Sequence, residues 1–547
     1  MKKLIFIAAV AFTAAWAFAG EKLVSDGDTV VFLGDSITHY GVKNSYGYVQ
    51  LVIKGLAANG VTLKWFGAGI PGHKAWQMNQ RFDKDVLARK PALVTISAGV
   101  NDVWFPRPDC TLEKYRVDME QMIERGKAAG VKVVLMTPTT AMGEGDNPNI
   151  AKYADCVREL AAKHGLTVAD TWKAVRARID APGMPCLDTR GLKATCDGVH
   201  MAPAGDREMA RCVLRAFGLG DAEMAKAEKA WADDVSLCTL QSRIGIPLAT
   251  YRALEAAADA QGRKIEEVYR DVFRRGVESV LAKGGGPQPV TSSVDEAKPD
   301  GVKPEVAVVG DYFHFVDQQS RSGLVNVIRR AIAAAGKNLA VFQERQVRGS
   351  TASLNGYWDE KLAGRKQLKY LVVTTGSYDA WDNGRAQHAA RMKTLAEKAV
   401  RAGVKVVFLT TRPTRSNISD DYNKALAALA DGTNVFVVDQ LAIIRGELAR
   451  RAANKNASYC SAGYPLNANV NLLLGQSILP HLGFDQKEVA LSVAKLEAQP
   501  DFADLEASTS VSFAEYDRLL NLAKKLNLPL SDLVTRALAS GAQGKVD

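Results

Sequence analysis

A hydroxyl becomes a nucleophile at neutral pH when an imidazole takes its proton and a carboxylate orients that imidazole, and four short segments of this chain carry residue types suited to such chemistry. Gly34-Asp35-Ser36-Ile37 directly follows an apolar run. A serine placed where a parallel strand turns into a helix is held rigidly in the crevice where such sheets bind ligands. Alone, the tetrapeptide is ordinary turn chemistry; three further segments give it meaning. Gly67-Ala68-Gly69-Ile70-Pro71-Gly72 is a glycine-rich turn able to present a backbone N–H, and Gly99-Val100-Asn101-Asp102 ends another apolar run with a side-chain amide. Asp197-Gly198-Val199-His200 sets a carboxylate three residues before an imidazole. Together these residues suit acyl transfer: Ser36 attacks, His200 removes and returns the proton, and Asp197 stabilises the imidazolium. Gly72 and Asn101 supply donors for the oxyanion, each worth ~3 kcal/mol in systems of this kind.

In this order, the four segments resemble the four sequence blocks of the SGNH hydrolases, also known as GDSL esterases and lipases, over roughly residues 28 to 220. The resemblance implies a flavodoxin-like parallel sheet, Ser36 as nucleophile, and Asp197 and His200 as the rest of a triad. It also implies an oxyanion hole from the backbone of Ser36 and Gly72 with the Asn101 side chain, supported by Asp35 and Asp102. One departure is Gly67, where the family's second block usually opens with asparagine; this affects loop shape and no catalytic position. His39, His73, Trp76 and Trp104 lie close to these segments and are candidates to line the pocket. No cluster has metal-ligand spacing, so neither a metal nor another cofactor is expected.

The elements that must position these groups are written twice. Val30 to Asp35 recurs as Val306 to Asp311, Leu93 to Asp102 as Leu371 to Asp379, and Ala129 to Thr137 as Ala402 to Thr410. Short apolar runs ending in glycine or polar residues, alternating with stretches of helical period such as Leu112 to Ala129, predict α/β domains with buried parallel strands. Behind each unit sits a strand-helix-helix pattern. Ile244 to Phe273 is matched at constant offset by Thr509 to Leu538, with Gly276 answering Gly541. The predicted order is a leader over 1–19, an active domain over 20–220, a first tail over 221–283, a Gly/Pro/Ser-rich linker over 284–304, a second α/β domain over 305–484 and a second tail over 485–547. In the second copy Tyr312, Tyr378, Ser461 and Tyr464 replace Ser36, Asn101, Asp197 and His200, and Arg348 or Gly349 falls opposite Gly72. That domain keeps Asp311 and Asp379 but not the triad, and is read as a degenerate copy.

The tails resemble the ribbon-helix-helix fold of small DNA-binding repressors, whose paired strands enter the major groove. Nucleic acid is nonetheless an unexpected partner, because Lys and Arg are scattered among acidic neighbours although the chain carries a net charge of +10. The two tails are expected to pair within one chain. Met1-Lys2-Lys3, an apolar run to Phe18 and the Ala17-Phe18-Ala19 ending read as a cleavable signal peptide, cut after Ala19, for a periplasmic or secreted protein. The run is shorter than the roughly 20 residues a membrane span needs, so no anchor is expected. An oxidising compartment allows disulfides among the seven cysteines, with Cys186 and Cys196 the nearest pair in sequence. The expected activity is that of a carboxylic ester hydrolase on an acylated carbohydrate, a short acetyl ester above all. The alternatives are a lipid or thioester acylhydrolase and a carbohydrate-binding protein with vestigial catalysis.

Overall fold

In the computed structural model, which describes residues 22–105, 111–141, 143–145, 147–289, 305–310, 320–337, 339–343, 351–374, 385–412, 418–460 and 466–544, the run Thr29–Gly34 forms strand β1. Val30, Val31, Phe32 and Leu33 are inaccessible to solvent on both faces, as befits a central parallel strand. β2 (Lys64–Gly69) pairs with one edge of β1, setting Gly34 opposite Gly69. β3 (Leu93–Ser97) pairs with the other edge, Leu33 opposite Ile96. β4 (Lys132–Met136) and β5 (Thr167–Ala169) complete an all-parallel sheet of order β2-β1-β3-β4-β5. The order reverses between β1 and β3, and it is outside the carboxyl ends of strands at such a reversal that α/β sheets open a crevice for ligands.

Two helical layers cover this sheet. Tyr48–Ala57 turns Val49, Leu51, Val52 and Leu56 inward and packs on Pro203–Ala216 and Asp221–Asp233. Gly55 makes that crossing close, since a Cβ there would stand 2.8 Å from Leu214 and 3.0 Å from Ala227. Ala75–Asp85, Leu112–Ala128 and Pro148–His164 pack beside one another as a further group.

The chain clusters into two units, Met1–Leu240 with Ser510–Leu533, and Gln241–Thr509 with Val534–Asp547. This division differs from the sequence boundaries in particulars that packing explains. Asp221–Asp233, read as part of the first tail, belongs to the first α/β layer: Trp231 is buried there and its indole N–H donates to the Leu51 carbonyl at 3.0 Å. Phe513–Leu526, read as following the second domain, packs in the first unit, where Arg207 lies over the Phe513 ring and binds both Asp517 oxygens at 2.8 Å.

In the second unit, strands β7 (Val306–Gly310), β8 (Val341–Gln343), β9 (Tyr370–Thr374), β10 (Lys405–Leu409) and β11 (Val435–Val438) form a parallel sheet of order β11-β10-β9-β7-β8. The path of the chain through this sheet repeats that of the first. Leu248–Ala260 packs in this unit through buried Glu255 and half-buried Asp259, which pair with Arg451. Two strands that straddle the division, β6 (Cys238–Ile246) and β12 (Ala503–Val511), make a separate two-stranded sheet. Beside it Ile265–Lys283 crosses Leu530–Gln543 backbone to backbone, where a Cβ on Gly276 would come within 1.8 Å of the Ala537 carbonyl. Tyr312, Tyr378, Ser461, Tyr464, Arg348, Gly349, Asp311 and Asp379 lie outside the described residues, as does the leader. Cys186 and Cys196 do not bridge; both are free thiols, as are Cys156, Cys212 and Cys238.

Candidate active site

Ser36 is the first residue of the helix Ser36–Lys43, one residue beyond Asp35 at the end of β1. The turn is too tight for a side chain at Gly34, whose Cβ would overlap the Thr38 hydroxyl at 2.0 Å. Asp35 caps the helix, its carboxylate accepting the Ile37 N–H at 2.9 Å. Being the first helical residue, Ser36 has an N–H with no carbonyl one turn earlier to receive it.

His200 reaches this hydroxyl from the far end of the domain. Its Nε2 stands 2.9 Å from Ser36 Oγ and its Nδ1 2.6 Å from Asp197 Oδ2. The other Asp197 oxygen accepts the N–H groups of Val199 at 3.0 Å and His200 at 2.8 Å, so one carboxylate fixes both the ring and the turn that carries it. Burial pushes the Asp197 carboxyl up, but the side-chain and backbone hydrogen bonds from His200 and Val199 outweigh it and leave it below the usual range. The turn sits at the tip of a small hairpin: Thr195 bridges Met201, and Cys196 N–H donates to the His200 carbonyl at 2.8 Å.

A residue far off in sequence holds that hairpin. The Glu144 carboxylate accepts the backbone N–H groups of Lys193 (2.6 Å), Ala194 (2.7 Å) and Thr195 (2.7 Å) and the Thr195 hydroxyl (2.8 Å). Alongside, Gly198 at φ +95° presses its backbone on Gly143, with a Cβ at 198 placed 2.9 Å from Gly143 Cα. No motif marks Glu144; its role becomes visible only when the loop after β4 meets the hairpin.

Asn101 lies in the short helix Val100–Trp104 that follows β3. Its Nδ2 donates to the His73 carbonyl at 3.1 Å and reaches Asp35 Oδ2 at 3.4 Å, so only the longer contact is readily given up. Gly72, exposed and at φ +80°, adopts the left-handed conformation of a tight turn just past β2. Two buried acids underlie this floor. Burial pushes the Asp35 carboxyl up to about 7, and it pushes Asp102, which accepts the Ala75 N–H, up to about 6.

The expected pocket residues divide. The His39 ring packs on Tyr40, and Tyr40 stands edge-to-face against His200, ring centroids 5.1 Å apart. Tyr40, 42% exposed, is therefore a site residue that the sequence reading passed over in favour of its neighbour. His73 contributes its carbonyl to Asn101 while burial and nearby Arg81 lower its imidazole. Trp104 stacks on exposed Phe105 rather than on a triad ring, and the Phe105 carbonyl is bound by the ammonium of buried Lys74. Trp76 is half-buried, its indole N–H without a partner among the described residues. Among the described residues no group of His, Cys, Asp and Glu could hold a metal ion.

Comparison with known proteins places relatives over this same region. A family model described as GDSL-like Lipase/Acylhydrolase matches residues 32–207. An acetylxylan esterase of Geobacillus stearothermophilus is 26% identical over 217 residues, 36% of this chain and 96% of the relative. Another, from Xylanibacter ruminicola, is 29% identical over 225 residues, 35% of this chain and 43% of the relative. Among solved structures, the acetyl xylan esterase AlAXEase is 30% identical, covering 34% of this chain and 98% of that one with a TM-score of 0.31.

Proposed function

Since the chain belongs, through residues 32–207, to the GDSL-like lipase/acylhydrolase family, we propose that it is a serine esterase removing short acyl groups, acetyl foremost, from a carbohydrate. One observation carries the reading. A continuous hydrogen-bonded chain runs from Ser36 Oγ through His200 to Asp197, at 2.9 and 2.6 Å.

In this reaction His200 Nε2 accepts the Ser36 proton as Oγ bonds to the ester carbonyl carbon. Negative charge on the former carbonyl oxygen meets the N–H groups of Ser36 and Gly72 and the Asn101 amide, which turns from Asp35. His200 then returns its proton to the departing sugar hydroxyl, leaving an acyl-serine. A water attacks that ester by the same route in reverse and frees the acid. No cofactor takes part. The His200 side chain is 23% exposed and Asp197 43%, so the base sits on an open face suited to a bulky polymeric alcohol. Two of the relatives, those of Geobacillus stearothermophilus and Xylanibacter ruminicola, are acetylxylan esterases, which supports acetylated carbohydrate as the substrate class.

The Met1-Lys2-Lys3 start, the apolar run to Phe18 and the Ala17-Phe18-Ala19 ending favour a leader cut after Ala19 and export to the periplasm or beyond. Among the described residues no helix is long and apolar enough to cross a membrane. The second sheet, with the strand order of the first and Tyr312, Ser461 and Tyr464 at the triad positions in sequence, supports a degenerate copy that has kept its scaffold. The β6–β12 ribbon with its two-helix partners supports a ribbon-helix-helix-like pairing of the tails inside one chain.

Wild type and Ser36→Ala, assayed on p-nitrophenyl acetate, butyrate and octanoate and on acetylated xylan, test the reading. Ser36-dependent turnover falling with chain length, together with acetate release from xylan, is the expected result. Preference for octanoate would favour the lipid acylhydrolase alternative, and loss of all Ser36 dependence would leave only carbohydrate binding.

A further inference from the structure

The segment 181–193 leads from the helix Thr171–Asp180 into the hairpin that carries Asp197 and His200, and it has little regular structure of its own. What it rests on comes from more than three hundred residues away. The helix Leu530–Gln543 begins with N–H groups that have no carbonyl within the helix to receive them. Two of these are used on the segment: Leu530 N–H donates to the Cys186 carbonyl at 2.8 Å and Ser531 N–H to the Leu187 carbonyl at 2.9 Å. The positive end of the helix thus faces two carbonyl dipoles, a favourable arrangement. Just before it, the Lys524 side chain lies over Gly183, whose Cβ would stand 3.2 Å from Nζ.

From this anchor the contacts run on to the triad without a gap. Arg190, paired with Asp188, reaches the Cys196 carbonyl, the residue next to Asp197. Lys193 Nζ caps the Ile179 carbonyl at 2.8 Å while Arg178 Nε binds the Lys193 carbonyl at 3.1 Å. Glu144 then gathers the N–H groups of residues 193–195. The hairpin is therefore braced on one side by the loop after β4 and on the other by the C-terminal segment. The family match ends at residue 207, so the second brace is supplied by this chain's own extension.

We infer that the first turn of Leu530–Gln543 is a positioning element of the esterase site, holding the 181–193 segment so that His200 stays within hydrogen-bond reach of Ser36. It touches no reacting atom. Its effect passes through the placement of Asp197 and His200, and small displacements of such groups weigh heavily on rate. This inference rests on the proposed triad.

The test uses the full chain and two substitutions at one position. Leu530→Pro removes the N–H that binds Cys186, at a first helical position where proline's fixed φ is compatible with a helix. Leu530→Ala keeps that N–H and removes only the buried side chain. Arg190→Ala, at an exposed position, cuts the link to the Cys196 carbonyl without touching the core. For p-nitrophenyl acetate the expected result is a fall in kcat of about tenfold in Leu530→Pro and in Arg190→Ala, with KM within about twofold. Leu530→Ala should keep kcat within about twofold even where its melting point drops. Equal loss of kcat in Leu530→Pro and Leu530→Ala, or wild-type kcat in both Leu530→Pro and Arg190→Ala, would overturn the inference. Should Leu530→Pro not fold, the kcat of Arg190→Ala decides alone. Ser36→Ala, measured alongside, separates this failure from that of the triad: if Ser36→Ala keeps full turnover, the site itself has been misread.

Discussion

Replacing Asp35 by asparagine should make the protein more stable at alkaline pH, by an amount the buried carboxyl sets. Asp35 is 1% exposed, and burial lifts its carboxyl from 3.8 to about 7. The folded state then holds the proton more tightly than the unfolded chain does. The stabilisation this gives is fully present below pH 3.8 and is lost as pH rises through about 7. At 1.36 kcal/mol for each pH unit between the two values the whole effect is about 4 kcal/mol, of which about 3 kcal/mol falls between pH 5 and pH 8. Asparagine caps a helix as well as aspartate, so the Ile37 N–H keeps its acceptor while the titration disappears. Urea unfolding followed by tryptophan fluorescence at pH 5, 6, 7 and 8 and constant ionic strength reads the difference between the two proteins. Groups common to both, Asp102 among them, cancel apart from their coupling to Asp35. The variant should gain about 3 kcal/mol on wild type across the range. Parallel stability curves would mean that Asp35 is ionised in the folded state at every pH, and the account of the floor beneath Ser36 would be wrong.

Glu144→Gln leaves a single neutral oxygen for four donors, and should cost about 2 kcal/mol in urea unfolding and lower kcat more than it raises KM. Gly198→Ala forces a side chain into a left-handed position against Gly143; kcat on p-nitrophenyl acetate should fall at least about tenfold, and unchanged kcat would show that the hairpin tolerates a shift. Gly276→Val drives a branched side chain into the Ala537 backbone. It should destabilise the second unit by about 3 kcal/mol or more in thermal unfolding, and an unchanged melting point would show that the crossing tolerates a side chain there.

Much of the site can be read from sequence because its residues hang on the ends of strands. Val30–Leu33 is an unbroken apolar run and Leu93–Ile96 one interrupted only by buried Thr95, and the polar residues that follow them, Asp35-Ser36 and Asn101-Asp102, must emerge at one lip of a parallel sheet. The Asp197–His200 spacing likewise fixes a local geometry, a turn in which one carboxylate can serve both backbone and ring. What escapes the sequence is support that arrives from elsewhere in the chain. Glu144 looks like any loop acid, and nothing in its neighbourhood announces three amides some fifty residues on. Tyr40 shares a helix with Ser36, but its approach to the His200 ring depends on a segment that folds back from residue 200. The amphipathic pattern of Phe513–Leu526 predicts a buried face correctly, yet periodicity does not say what covers it, and the covering surface proved to be Arg207 and the helix Asp221–Asp233. Sequence proximity suggested bridging Cys186 to Cys196, but both remain thiols: the segment between them turns on Leu187 and Leu192, and its ends are engaged elsewhere.

The central claim is that Ser36 is the activated hydroxyl. Intact-protein mass spectrometry after brief exposure to diethyl p-nitrophenyl phosphate, followed by peptide mapping, tests it most directly. The account predicts one phosphoryl adduct per chain, on Ser36, with parallel loss of esterase activity, no adduct in Ser36→Ala and labelling slowed at least about a hundredfold in His200→Ala. A stoichiometric adduct on another residue, or labelling of Ser36 at the same rate without His200, would contradict it.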